Sequence, residues 1–259
     1  MCLIAFAWRA SSRYRLLLAA NRDEFHDRPA LPAHWWDDAP TVYGGRDLNA
    51  GGTWLAISRH GKLAAVTNYR ERPDRGPGER SRGELGASFV AGNHPATHHA
   101  QALHARADRY AGFNLLLFDW AGPEPACAYL SNRHPHAPIQ APAPGVHTLS
   151  NHLLNTRWPK SLRLGSVVEQ VADDSDPIEP LFQALADQRP VNPEEVPTDA
   201  DRTDPAVLTR TPFIFDARYG TRASTVVTVG HDGRVCFVER VWQWSSGGAR
   251  CVGERRLQF

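Results

Sequence analysis

Apolar positions along the chain fall into strand-like and helix-like rhythms. CLIAFAW (2–8) and YRLLLAA (14–20) read as two buried strands joined by RASSR. The second is a continuous apolar run, as expected of a strand covered on both faces. TWLAISRHGKLAAVTNY (53–69) is a hairpin signal, two β-prone runs flanking RHG, whose Gly61 can take the positive φ of a tight turn. Helical signals follow. SRGELGASFVAG opens with Ser81 and Glu84 at capping-box spacing. ATHHAQALHARADRY sets Ala100, Leu103, Ala107 and Tyr110 on one face. GFNLLLFDW and PACAYLSN predict a strand pair around AGPEP, and GVHTLSNHLL another strand and its exit. SLRLGSVVEQVADD repeats helically through Leu164, Val167, Val168 and Val171, and DPIEPLFQALADQ through Ile178, Leu181, Phe182 and Leu185. The stretch 189–211, rich in Pro and Asp, predicts a long irregular loop. ASTVVTVGHDGRVCFVERVWQW predicts a last hairpin turning at HDG.

Strands, helices, strands, helices, strands is not the alternation of a doubly wound sheet. It predicts an α+β fold of two antiparallel sheets with helices outside both. No internal repeat or linker divides the 259 residues, so the expectation is one domain, 1–259.

Composition narrows the function. Lys+Arg 29 against Asp+Glu 28 leaves a net charge of +1, which argues against a nucleic-acid partner. The sign-alternating NYRERPDRGPGERSRGE reads as a solvated loop. Cys2, Cys127, Cys236 and Cys251 form no C-x-x-C pair, so no metal site is expected. Cys127 and Cys236 read as core residues. No run is long enough to span a membrane and no signal peptide opens the chain, so the expected location is cytoplasmic. No residue pattern assigns an oligomeric state.

Cys2 directly follows the initiator Met. As a strand residue it is ordinary, since free Cys is among the most buried residue types. Trimming of Met1 would make it a nucleophile with its own base. An α-amine near pKa 7.7–8.0 can take the proton of a thiol near 8.5. Such a nucleophile needs groups that hold the amine and meet an oxyanion. Polar residues end three apolar runs: Asn21, Arg22, Asp23 and Glu24 after YRLLLAA, Thr67 and Asn68 after LAAV, and Ser150 and Asn151 after GVHTL. Asn is a poor strand residue but offers two donors and an acceptor, so Asn68 and Asn151 are oxyanion candidates. Asn is also an ordinary turn former. Arg22 and Asp23 could orient the amine or form a surface ion pair. Arg222, in YGTRAST, could grip a carboxylate or flank a strand. Among eight Trp, Trp35, Trp36 and Trp54, with Glu24 and Thr67, are candidates for substrate binding; anchoring a loop on the core is the commoner use of Trp.

MC before an apolar strand, LLLAANRDEFHDRP, GGTWLAISRHGKLAAVTNYR, SRGELGASF, LSNHLLNTRWPK and YGTRASTVV, in that order, resemble the NRDE-motif family, also called the transport and Golgi organisation 2-like family. One departure is Ala56, where the family often has Gly after GTWL. The resemblance implies an N-terminal-nucleophile hydrolase fold, a four-layer αββα sandwich. In related cysteine amidases, such as penicillin V acylase and bile salt hydrolase, the terminal Cys attacks a linear amide. The matching elements here are Cys2, the stretch from Asn21 to Glu24, Asn68, Asn151 and Arg222. Three functions follow as expectations. The first is hydrolysis of a small linear amide or acyl compound by Cys2, with no cofactor required. The second is haem trafficking, with haem as a transported ligand. The third is binding of acyl lipid or coenzyme A in Golgi and membrane trafficking. The expected partner is a small-molecule substrate or haem.

Overall fold

The computed structural model describes residues 2–71, 78–122, 124–196, 210–245 and 248–259. In chain order the elements begin with β1 (Cys2–Trp8), β2 (Tyr14–Phe25), β3 (Ala30–Trp36), β4 (Ala39–Asp47), β5 (Leu55–Ser58) and β6 (Lys62–Asn68). Next come α1 (Gly83–Ala91), α2 (Ala96–His104), β7 (Phe113–Asp119), β8 (Ala126–Ser131), β9 (Ile139–Gln140) and β10 (Gly145–Leu149). The last are α3 (Pro159–Gln170), α4 (Ile178–Leu185), β11 (Tyr219–Gly230), β12 (Val235–Ser245) and β13 (Gly248–Gln258). The chain forms two compact units, one of Met1–Asp27, Ala143–Ser150 and Leu154–Phe259, the other of Arg28–Pro142 and Asn151–Leu153.

The first unit holds a six-stranded antiparallel sheet, β10-β1-β2-β11-β12-β13. Leu3, Ala5 and Ala7 of β1, Leu17 and Ala19 of β2, Val226 and Val238 form one core with Leu164 and Val168 of α3 and Leu181, Phe182 and Leu185 of α4. Alternation along β1 therefore turns Cys2, Ile4 and Phe6 to the face away from the helices. The second unit holds a seven-stranded antiparallel sheet, β3-β4-β5-β6-β7-β8-β9, whose core joins Ala64, Leu115 and Leu117 to Leu85 and Phe89 of α1 and Ala100 and Leu103 of α2. Each fully buried Leu, Val or Phe contributes about 1.5–3 kcal/mol. The α+β class and the two antiparallel sheets carrying helices match the sequence expectation. Both predicted turns form, with Gly61 at φ 71 and Gly233 at φ 86.

Some local expectations are revised. The capping box at Ser81 does not form: the N-cap is Arg82, without a side-chain cap bond, and Glu84 instead binds the Tyr110 hydroxyl and Arg80. The helix predicted to reach Tyr110 stops at His104 and tightens into a 3-10 turn at Ala107–Arg109, yet Ala100, Leu103, Ala107 and Tyr110 are all buried as expected. The strands β3, β4, β9 and β13 carry no signal that the sequence reading used. Pro32 interrupts β3, which an edge strand tolerates. Strand β13 is an edge too, mostly exposed, so it carries no apolar alternation. Cys127 is buried, and Cys236 is partly buried and packs against the core of the first unit; all four cysteines are free. The loop predicted for 189–211 lies outside the described residues over 197–209, and the charged cluster over 72–77. At the described end of that cluster Glu71 is not simply solvated. It pairs with Arg133 at 2.5 Å and accepts the Gly112 N–H. No helix among the described residues is long and apolar enough to cross a membrane.

Candidate active site

Register assembles the site of the first unit. Strand β1 starts at Cys2, and its antiparallel pairing with β2 sets Cys2 opposite Arg22 and Leu3 opposite Asn21. Residues directly opposite share a face, so Arg22 stands beside Cys2 on the face away from the helices. Glu24, two residues on, returns to that face and lies 3.9 Å from the Arg22 guanidinium. Arg22 is only 5% exposed, and Cys2 is half-buried. Burial pushes the Cys2 thiol above its usual range, while the Asp23 backbone N–H and the Arg22 charge pull it down. A thiol desolvated in this way stays protonated at neutral pH and needs a base at the moment of attack.

Asn21 and Asp23 point to the helical face. The Asn21 amide donates to the carbonyls of Leu185 and Pro212 at 2.8 and 2.9 Å and accepts from the Ser224 hydroxyl at 2.6 Å, which ties the end of β2 to the exit of α4. Asp23 is 3% exposed and accepts the Thr221 hydroxyl at 2.7 Å. Burial raises its carboxyl above the usual range; Lys160, the Thr221 bond and Arg210 oppose that rise. Thr221 in turn accepts the Ile214 N–H at 2.9 Å. Between Thr221 and Ala223 the pairing of β11 with β2 slips, leaving Arg222 in a bulge. Bulges re-aim side chains at sheet rims; here the Arg222 guanidinium donates to the carbonyls of Phe25 and His26 at 2.9 and 3.0 Å. At the other side of β1, the Ser150 hydroxyl donates to the Cys2 carbonyl at 2.8 Å and pins the chain start.

Six of the predicted site residues, Cys2, Asn21, Arg22, Asp23, Glu24 and Arg222, thus gather in the first unit. The other six lie in the second. There the Asn151 amide donates to the Asn68 carbonyl at 2.9 Å, and the Asn151 carbonyl accepts the Arg70 N–H at 2.7 Å. Thr67, beside Asn68 on β6, accepts from the Asn114 amide at 3.1 Å, and Asn114 also donates to the His152 carbonyl and accepts from the Tyr129 hydroxyl. The Trp54 carbonyl accepts the Val66 N–H at 2.8 Å, one residue before Thr67. Trp36 is buried on β3, its indole N–H on the Gly44 carbonyl at 3.1 Å and Arg46 over its ring. Trp35 packs edge-on to Tyr43 under Arg59. The Trp54 ring lies flush on Gly45.

Sequence reasoning missed Thr221, Asn114 and Lys160. Asn114, fully buried inside the apolar run GFNLLLF, had a visible signal: a lone amide in a core strand must find partners. Lys160 had another, a cation just after a helix-opening Pro, where the helix dipole disfavours it. Thr221 had none, because its partner Asp23 is remote in sequence. Among the described residues no three His, Cys, Asp or Glu side chains group as metal ligands.

Residues 1–244 match the family model described as Transport and Golgi organisation 2. A Bos taurus Transport and Golgi organization protein 2 homolog is 35% identical, with 93% of this chain and 92% of that protein covered. The Mus musculus homolog is 34% identical over the same shares, and the Drosophila melanogaster protein 27% identical over 92% and 91%. Among solved structures, a Caenorhabditis elegans N-acylethanolamine-hydrolyzing acid amidase ortholog aligns at TM-score 0.49 and 8% identity, covering 87% of this chain and 92% of that one. With the family model spanning both compact units and relatives above 30% identity over nearly the whole chain, the chain belongs to the Transport and Golgi organisation 2 family.

Proposed function

We propose that the chain, once Met1 is removed, is a cysteine hydrolase of the N-terminal-nucleophile type acting on a small linear amide or acyl compound. The observation that carries this reading is the position of Cys2. It opens β1 opposite Arg22, with the Asp23 N–H turned to its sulfur. While Met1 is attached, the Cys2 nitrogen is a peptide N–H and no base. Its removal leaves an α-amine that can take the thiol proton as sulfur attacks. The C–S bond forms and the carbonyl pair moves to oxygen. Collapse breaks the bond to the leaving amine, which departs with the proton held by the ammonium. Water then adds to the thioester, giving a proton to the amine. The C–S bond breaks, the acid leaves, and the proton returns to sulfur. Arg22 and the Asp23 N–H favour negative charge on sulfur through this cycle.

Intact-mass measurement on protein from its native host tests the premise, and exposure of the trimmed protein to p-nitrophenyl acetate tests the chemistry. The expected result is loss of Met1 and an acetyl group on Cys2 that turns over, with neither acetylation nor turnover in Cys2→Ala. Mature protein retaining Met1, or a Cys2 thiol no faster than free cysteine, would sink the reading. A Soret shift with micromolar haem in protein that forms no acyl-enzyme would favour the haem-carrier role instead.

A further inference from the structure

At the end of β2 away from Arg22 and Cys2, the first unit carries an open cavity of about 860 Å³, a volume that holds a small organic molecule. Register lays its floor. Thr228 of β11 stands opposite Cys236 of β12, and Cys236 opposite Gln258 of β13. Directly opposite residues share a face. It is the face of the helices, because Val226 and Val238, two residues along their strands, belong to the core with α3 and α4. Thr228 is only 7% exposed and lines the cavity, and its hydroxyl bonds no described residue. A hydroxyl so deeply buried ordinarily has a partner. Beside it Cys236 is a free, partly buried thiol that lines the same cavity. The Gln258 amide donates to its sulfur at 3.6 Å, a contact that favours negative charge there. Arg13 and Arg234 stand at the mouth. Arg13 gives its Nε to the Asp173 carbonyl at 2.8 Å, and its other two guanidinium nitrogens bond no described residue. Arg234 has Asp232 at 3.4 Å, and the same carboxylate accepts the Arg234 N–H at 3.0 Å. Among the side chains that line the cavity, two guanidinium groups thus meet one carboxylate.

We propose that this cavity is a thiol-modification site, in which Cys236 exchanges with a low-molecular-weight disulfide that bears carboxylates. The carboxylates rest on Arg13 and Arg234, the Thr228 hydroxyl bonds a polar group of the bound molecule, and the disulfide lies against the Cys236 sulfur. That sulfur gives up its proton and attacks the nearer sulfur of the ligand. A new S–S bond forms, the ligand's own S–S bond breaks, and the departing thiolate takes up a proton and leaves as a thiol. The bound disulfide is the oxidant: one of its sulfurs is reduced, and Cys236 is oxidised to the mixed disulfide. The rate comes from holding the two sulfurs together. None of this depends on the hydrolase reading, since Cys2 lies at the other end of the sheet. The test uses the full chain and three reagents: anionic dithiobis(nitrobenzoate), neutral dithiodipyridine and cationic cystamine. Peptide mass mapping separates Cys236 from the other three cysteines, and each rate is divided by that of free cysteine. The Cys236 rate is expected to saturate with the anionic reagent and to rank it first, the cationic one last. Arg13→Gln and Arg234→Gln should each slow the anionic reaction about tenfold and leave the neutral one unchanged. Should Arg13→Gln fail to fold, Arg234→Gln, whose side chain is 89% exposed, carries the test alone. Glutathione disulfide should then label Cys236 ahead of the exposed Cys251. A Cys236 rate that stays linear in reagent concentration, a preference for the neutral or cationic reagent, Arg variants that behave as wild type, or labelling of Cys236 that lags behind Cys251 overturns the proposal.

Discussion

Thr221→Val probes the buried Asp23 carboxyl. The substitution keeps shape and removes one hydroxyl, which donates to Asp23 at 2.7 Å and accepts the Ile214 N–H at 2.9 Å. Thr221 is 4% exposed and Asp23 3%, so water does not readily replace the lost partner. A hydrogen bond to a charged group contributes about 1.5–3 kcal/mol, and an orphaned buried amide costs about 1–3 kcal/mol. The extra methyl of Val returns about 0.8 kcal/mol. The expected net loss is about 2–5 kcal/mol, read from urea denaturation at pH 7 followed by tryptophan fluorescence. The pH dependence carries its own sign. The Asp23 carboxyl is raised by burial, so its folded form holds a proton that the unfolded form releases, and its contribution to stability falls as pH rises from the unfolded value near 3.8. Removing the Thr221 bond, which acts to lower that carboxyl, deepens the fall. The gap between wild type and variant is therefore widest at neutral pH and narrows in acid, where a protonated Asp23 needs the hydroxyl less. Thr221→Ser, which keeps the oxygen, should recover all but about 1 kcal/mol. A Val variant within 0.5 kcal/mol of wild type (roughly the scatter of surface substitutions), or a Ser variant no better than Val, would refute the argument.

Two further outcomes follow from the second unit. His99 of α2 is 8% exposed against Phe89, and burial lowers its imidazole to about 4. Below pH 6.5 the unfolded chain takes up a proton that the folded imidazole refuses, so stability is lost as pH falls. Between pH 7 and 5 the loss is about 2 kcal/mol, and His99→Leu should remove that part of the slope in urea midpoints, whereas a ring resonance titrating near 6.5 would contradict it. Gly45→Ala sets a Cβ 2.0 Å from the Trp54 ring. The ring must then move, at a cost of about 1–3 kcal/mol and with a shift in tryptophan emission; unchanged emission and stability would show that the contact is not tight.

What could be read from the residues and what could not differ for physical reasons. The strands β1, β2, β6 and β7 announce themselves because both faces are covered and long apolar runs result. Edge strands such as β3 and β13 pair on one side only and face solvent more, so Pro32 and the run of charges in GARCVGERRLQ are allowed and hide the strand. Side-chain partnerships across the sheet, such as Asp23 with Thr221 or Asn21 with Ser224, are set by register and have no local signal.

The string Asn-Arg-Asp-Glu shows the limit most clearly. Read as a cluster at a strand end, it suggests four polar groups sharing one cleft. The strand does not end there: β2 runs on to Phe25, and its alternation divides the string. Arg22 and Glu24 take the face of Cys2, while Asn21 and Asp23 take the face of the helices, where Asn21 locks α4 and Asp23 meets Thr221 and the charge of Lys160. Four consecutive residues therefore perform two tasks, one beside the thiol and one beneath it. Asp23 joins them, because its side chain lies on the helical face while its backbone N–H serves the sulfur on the other. Slipping the β1–β2 register by one residue would exchange the two sets and place Asn21 or Asp23 opposite the thiol. The bonds of Asn21 to Leu185, Pro212 and Ser224 oppose that slip, so an amide beside the candidate nucleophile acts on it by holding the neighbouring strand in register.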